Sequence, residues 1–125
     1  FPGWVESTTQ DLRDMRAALA AGDVETVGEL TESSALRMHA AIMGNPPPVR
    51  YLAPASVALF DAVAALRAQG LGAWATADAG PNVAVLTRAE DVPTLRDRLA
   101  ERFPDLRLIS AQAGPGAHLA DRGRA

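Results

Sequence analysis

The chain has 125 residues, 48% of them hydrophobic, and a formal net charge of −3; that suits one domain with one core, offers no apolar run long enough to span a bilayer, and gives no general attraction to nucleic acid. It has no cysteine, which excludes disulfides and thiolate metal sites. All 12 basic residues are arginine, which excludes a Schiff-base lysine and the lysine of a Gly-Lys-Ser/Thr phosphate loop.

The opening Phe1-Pro2-Gly3-Trp4 lacks the basic and apolar stretches of a secretory signal, which fits a cytoplasmic protein. Ser7 to Gln10 has capping-box spacing and predicts a helix from about residue 7, with Leu12, Met15 and Leu19 on one face and Gly22 at its C-terminus. Asp23 is placed to cap a second helix running to about residue 43. From Ala35 onward this helix is apolar on nearly every side, which predicts deep burial. The Gly-Asn-Pro-Pro-Pro run at 44–48 ends it, and a short extended stretch follows at 49–52. A third helix opens at Pro54 or Ala55 and runs to Gln69, with Leu59, Val63 and Leu66 as its stripe. Two short strands, 73–78 and 83–87, flank the turn-forming loop Ala79, Gly80, Pro81 and Asn82. A fourth helix over 92–102, with Asp91 as its cap and Leu95, Leu99 and Phe103 on its inner side, leads to a last strand at 106–111. Residues 120–125 read as a frayed tail.

This order predicts an α+β fold for a single domain spanning 1–125: an antiparallel sheet with helices packed on one face. Three strands make a narrow sheet with open edges, as if its first strand were missing.

Alternation along the first strand puts Trp74, Thr76 and Asp78 on one side and Ala73, Ala75 and Ala77 on the other. Alanines let helices approach closely, so the alanine side is expected to face the core and the Trp74 side to face away from the helices. Asp78, at the strand end with no basic residue nearer in sequence than Arg88, is then either a general base or a carboxylate that bonds the backbone N–H groups of its own turn. His39, alone on the second helix, is weak evidence for a metal and reads better as a buried histidine satisfied by a backbone carbonyl; no metal site is expected. The Gly-Pro turns at 80–81 and 114–115 make poor anion cradles because proline lacks the N–H. Arg96, Arg98 and Arg102 have no aromatics for stacking bases, so no nucleic-acid partner and no membrane partner is expected. His118 sits in the tail and receives no role.

Four segments together resemble the mevalonate diphosphate decarboxylases of the GHMP kinase superfamily: "ESSALRMHAAIM" (32–43), "PPVRYLAPAS" (47–56), "TADAGPNVAVL" (76–86) and "GPGAHL" (114–119). The third is the most specific. The resemblance covers only the family's C-terminal half. It implies a ferredoxin-like α+β domain and a partner, the N-terminal GHMP domain, that this chain lacks. In the full-length family the reaction is ATP-dependent: the 3-hydroxyl of mevalonate 5-diphosphate is phosphorylated, phosphate leaves, and decarboxylation gives isopentenyl diphosphate. The implied catalytic residue is Asp78, which would orient or deprotonate that hydroxyl and stabilise positive charge as phosphate departs. Ala79, Gly80, Pro81 and Asn82 would position it. His39 is implied only as a packing residue or one that holds another in place. ATP and Mg²⁺ belong to the full-length enzyme, none being expected on this domain alone, and the isolated chain is expected to be inactive. Two alternatives stand beside this reading. One is a domain of a related kinase acting on mevalonate or its phosphate. The other is a non-catalytic module, or a homodimer, that associates through the unpaired strand edge.

Overall fold

A computed structural model of the chain describes residues 2–117. The element order is α1 (Pro2–Ala21), α2 (Val24–Met43), α3 (Pro54–Ala68), β1 (Ala73–Thr76), β2 (Ala84–Thr87) and α4 (Val92–Arg102), with a 3₁₀ turn at Ala89–Asp91 leading into α4. The α+β class is as the sequence predicts.

Helix α1 starts five residues earlier than the capping-box spacing suggests. Pro2 opens it, where a fixed φ and a missing N–H cost nothing. Ser7 and Thr8 are therefore interior, and their hydroxyls donate back to Trp4 O at 2.9 and 2.8 Å. Gly22 closes the helix at φ +68°, with Gly22 N–H donating to Leu19 O and Asp23 N–H to Ala18 O. Asp23 caps α2 as expected: it accepts from Thr26 N–H at 3.1 Å and from the Thr26 hydroxyl at 2.6 Å. Asp91 occupies the position before α4, but its carboxylate makes no capping bond.

Strands β1 and β2 pair antiparallel, with Trp74 opposite Leu86 and Thr76 opposite Ala84. On the alanine side, Ala73 and Ala75 pack with Val63 of α3 and Leu95 and Leu99 of α4. This is the core the sequence predicts, because alanine brings both helices close to the strand.

Trp74, however, does not face away from the helices. It is 2% exposed, and its ring lies directly against Gly28 of α2. A helical glycine leaves a gap the depth of a side chain, and the indole fills it, so helices flank β1 from both sides. Helix α2 in turn is not deeply buried along 35–43: Ala35 and His39 face inward, while Leu36 and Met43 are 46% and 44% exposed.

The outer edge of β1 is closed by side chains. Arg67 Nη1 donates to Ala73 O at 2.6 Å, Ala75 N–H donates to Glu32 Oε2 at 2.8 Å, and His39 Nε2 bonds Ala77 O at 3.1 Å. Glu32 and Arg67 also pair with each other at 2.6 Å. The open edge expected next to a missing strand is thus occupied on the β1 side by α2 and α3.

The predicted strand at 106–111 does not form among the described residues. Leu108 packs against the core and Arg96 Nη1 donates to Ser110 Oγ at 2.9 Å, while Ile109 is 74% exposed. Side-chain contacts with the core and α4 hold this stretch in place, and no ladder is present to make it a strand. The tail at 120–125, His118 and the last two residues of "GPGAHL" lie outside the described residues.

Candidate functional site

Asp78 stands two residues beyond β1, exposed, at the start of the loop that returns to β2. Among the described residues its carboxylate makes no hydrogen bond and no ion pair; the ion pairs there are Asp11–Arg37 and Glu32–Arg67. The alternative in which Asp78 accepts N–H groups of its own turn is therefore not what the fold does. Its Oδ1 lies near Gly80, where an added Cβ would sit 3.9 Å away, an ordinary contact.

No backbone–backbone hydrogen bond is made within residues 77–83. Two buried side chains from different helices hold the loop instead. His39 of α2 is 2% exposed, and its Nε2 bonds the carbonyl of Ala77, the residue before Asp78. A carbonyl can only accept, so Nε2 carries the proton. Ser56, in the first turn of α3, is 1% exposed and donates its hydroxyl to Pro81 O at 2.6 Å.

The structure thus brings together Asp78, His39 and the loop Ala79, Gly80, Pro81 and Asn82. His39 is the buried, carbonyl-bonded histidine that the sequence suggested. Ser56 was missed, although it lies inside "PPVRYLAPAS". Its one local signal is a hydroxyl in the first turn of an alanine-rich helix, and nothing in sequence points 25 positions onward to Pro81. Glu32 was missed too; it shares a face with Gly28 and His39, and that spacing is the clue.

Among the described residues no three His, Cys, Asp or Glu side chains come together to hold a metal ion. Two surface concavities, of about 450 and 200 Å³, lie along α2 beside Trp74 and between α3 and α4; neither is lined by Asp78 or its loop. Around Asp78 the described residues supply a single carboxylate with no cationic side chain paired to it. What the arrangement can do is present that carboxylate, uncommitted and from an anchored backbone, to a group outside the chain. No helix of the described residues is long and apolar enough to cross a membrane.

The family model for the mevalonate 5-diphosphate decarboxylase C-terminal domain matches residues 5–118. The chain belongs to this family. The phosphomevalonate decarboxylase of Haloferax volcanii is 33% identical over 89 residues, covering 70% of this chain and 28% of that protein. The solved mevalonate pyrophosphate decarboxylase of Streptococcus pyogenes is similar at 37% identity and a TM-score of 0.83, over 94% of this chain and 37% of that one. The mevalonate diphosphate decarboxylase from Enterococcus faecalis matches at 35% identity and a TM-score of 0.80, over 83% and 32%. A structure of MDDEF in complex with MVAPP, AMPPCP and magnesium is similar to the same degree. The chain therefore spans 28 to 37% of the length of these relatives.

Proposed function

We infer that this chain serves as the C-terminal domain of a longer decarboxylase, a lyase acting on mevalonate 5-diphosphate in the cytoplasm and supplying isopentenyl diphosphate to isoprenoid synthesis. The observation that carries the reading is Asp78: an exposed carboxylate with no partner among the described residues, in the Asp-Ala-Gly-Pro-Asn loop of the matched family domain, on a backbone tied down by His39 and Ser56. Its role is to accept the proton of the substrate's 3-hydroxyl as the phosphoryl group is transferred and, once that proton has passed on to the departing phosphate, to set its negative charge beside the carbon where positive charge develops. Ala79, Gly80, Pro81 and Asn82 keep it pointed outward. ATP and magnesium, which the reaction uses, are held by the part of the parent outside this chain, most naturally an N-terminal GHMP domain. The solved relative with AMPPCP and magnesium supports the use of both by the longer protein. The 125 residues alone are accordingly inactive, because positioning the substrate accounts for most of the rate.

A second reading is favoured by the Haloferax volcanii relative, a phosphomevalonate decarboxylase: the substrate is the monophosphate, with the same role for Asp78. Assays of the full-length protein on mevalonate, its 5-phosphate and its 5-diphosphate, following ATP-dependent release of CO₂, separate the two. Phosphorylation without CO₂ release would point to the kinase alternative. Asp78→Asn in the full-length protein should lower turnover by about 10²–10⁴-fold, the usual weight of a general base. Wild-type turnover in that variant would remove Asp78 from the mechanism.

A further inference from the structure

We propose that Ser56 is a positioning residue for Asp78, acting through the carbonyl of Pro81. The proposal rests on the reading that Asp78 is the proton acceptor.

The loop at 77–83 does not order itself. It contains no backbone–backbone hydrogen bond among the described residues, and Pro81 has no N–H to contribute. A loop of this kind samples many conformations unless it is held from outside. Two holds are present, one near each end. His39 fixes the carbonyl before Asp78, and Ser56 fixes the carbonyl three residues after it, at 2.6 Å. One hold would leave the loop free to pivot about Ala77, whereas two from different helices fix the direction of the intervening carboxylate. Both donors are buried, at 2% and 1% exposure, so bulk water does not compete at the donor side.

Neither helix capping nor packing accounts for Ser56. It lies in the first turn of α3, where a serine can cap the helix, but Ala53 is the capping position and the Ser56 hydroxyl bonds Pro81 instead. As packing, an alanine would serve as well in a helix and would carry no buried polar group. A buried hydroxyl that donates across 25 positions to the catalytic loop is accounted for by what it holds.

The test uses the full-length protein with Ser56→Ala, Ser56→Cys and Asp78→Asn. Alanine is a good helix former, so Ser56→Ala should fold, with a thermal midpoint lowered by no more than a few degrees, the cost of one hydrogen bond. Its kcat should fall by about 10²-fold, the size expected when a reacting group is misplaced by about 1 Å, with KM little altered. Ser56→Cys, which keeps a weak donor, should lie between. Backbone relaxation by NMR supplies a readout independent of turnover. In Ser56→Ala the order parameters of the amides of Ala79, Gly80, Asn82 and Val83 should fall, while those of Leu95 and Leu99 in the core stay as in the wild type. If Asp78→Asn is inactive and Ser56→Ala keeps the wild-type kcat, the role of Ser56 is overturned and that of Asp78 stands. If Ser56→Ala loses activity but the order parameters of the core fall together with those of the loop, Ser56 is a general stability residue and the proposal fails. Turnover retained in Asp78→Asn would overturn the reading of Asp78, and the proposal with it.

Discussion

Gly28→Ala reverses an ordinary rule. Inside a helix, alanine is preferred over glycine by about 1 kcal/mol, because glycine loses more backbone freedom on folding. Gly28 is interior to α2 at an ordinary helical φ, so propensity alone predicts a more stable protein. Its new Cβ, however, would lie 2.5 Å from Trp74 Cγ and closer still to Cδ2 and Cε3. Carbon atoms in contact sit about 3.5–4.0 Å apart, so the indole would have to retreat by about 1 Å or more. Trp74 is 2% exposed and stands on a strand whose other side is packed by α3 and α4, so the retreat must displace the core. Overpacking of this kind costs about 1–3 kcal/mol. Subtracting the propensity gain leaves a net loss of up to about 2 kcal/mol, or up to about 10 °C in the thermal midpoint for a domain of this size. Thermal unfolding followed by circular dichroism measures this directly. In a Trp74→Leu background the clash is gone, and Gly28→Ala should then be neutral or stabilising. A raised midpoint for Gly28→Ala beside an intact Trp74 would refute the packing of the indole on α2.

Glu32→Ala would leave Arg67 without its carboxylate and Ala75 N–H without an acceptor; we expect a loss of about 1–3 kcal/mol in chemical denaturation, with Glu32→Gln recovering part of it through its amide oxygen. The bond from the Thr26 hydroxyl, followed by that from Thr26 N–H, holds the Asp23 carboxyl below its ordinary value of 3.8. A lowered folded-state value means the stabilisation is fully present above pH 3.8 and is lost as pH falls through the lower folded value. Acid titration of the thermal midpoint should therefore show a drop on that side which is smaller in Asp23→Asn; identical acid profiles would argue against the cap.

Much of the helical frame is legible because its punctuation is local. Asp23 with Thr26, Pro54, and Gly22 act within a few residues of themselves, so α2, α3 and the end of α1 can be placed from the chain alone. The start of α1 misleads because Ser7 and Gln10 have the right spacing for a cap while Pro2 already opens the helix. Alternation correctly separates Trp74 from Ala73 and Ala75, but it cannot say which helix covers which side. That depended on Gly28, far earlier in the chain, whose missing side chain reads in sequence only as a weak helix position. The stretch at 106–111 has strand-like composition and lacks a ladder, since composition supplies no partner. At the candidate site the loop and its aspartate are visible as a turn between apolar runs, and His39 as a buried residue. Ser56 and Glu32 act over distances of 25 and 43 positions, and such pairings exist only once the chain has folded.

The side chains along β1 also give the sheet a direction. Arg67, Glu32 and His39 take one backbone group each of Ala73, Ala75 and Ala77, on the side where an incoming strand would have to bond. A neighbour approaching from that side would have to displace a guanidinium, a carboxylate and an imidazole, two of which already pair with each other. The sheet is therefore terminated at β1 and can be extended only past β2. Any strand contributed by a longer protein of the proposed kind, or by another molecule, has one side on which to add.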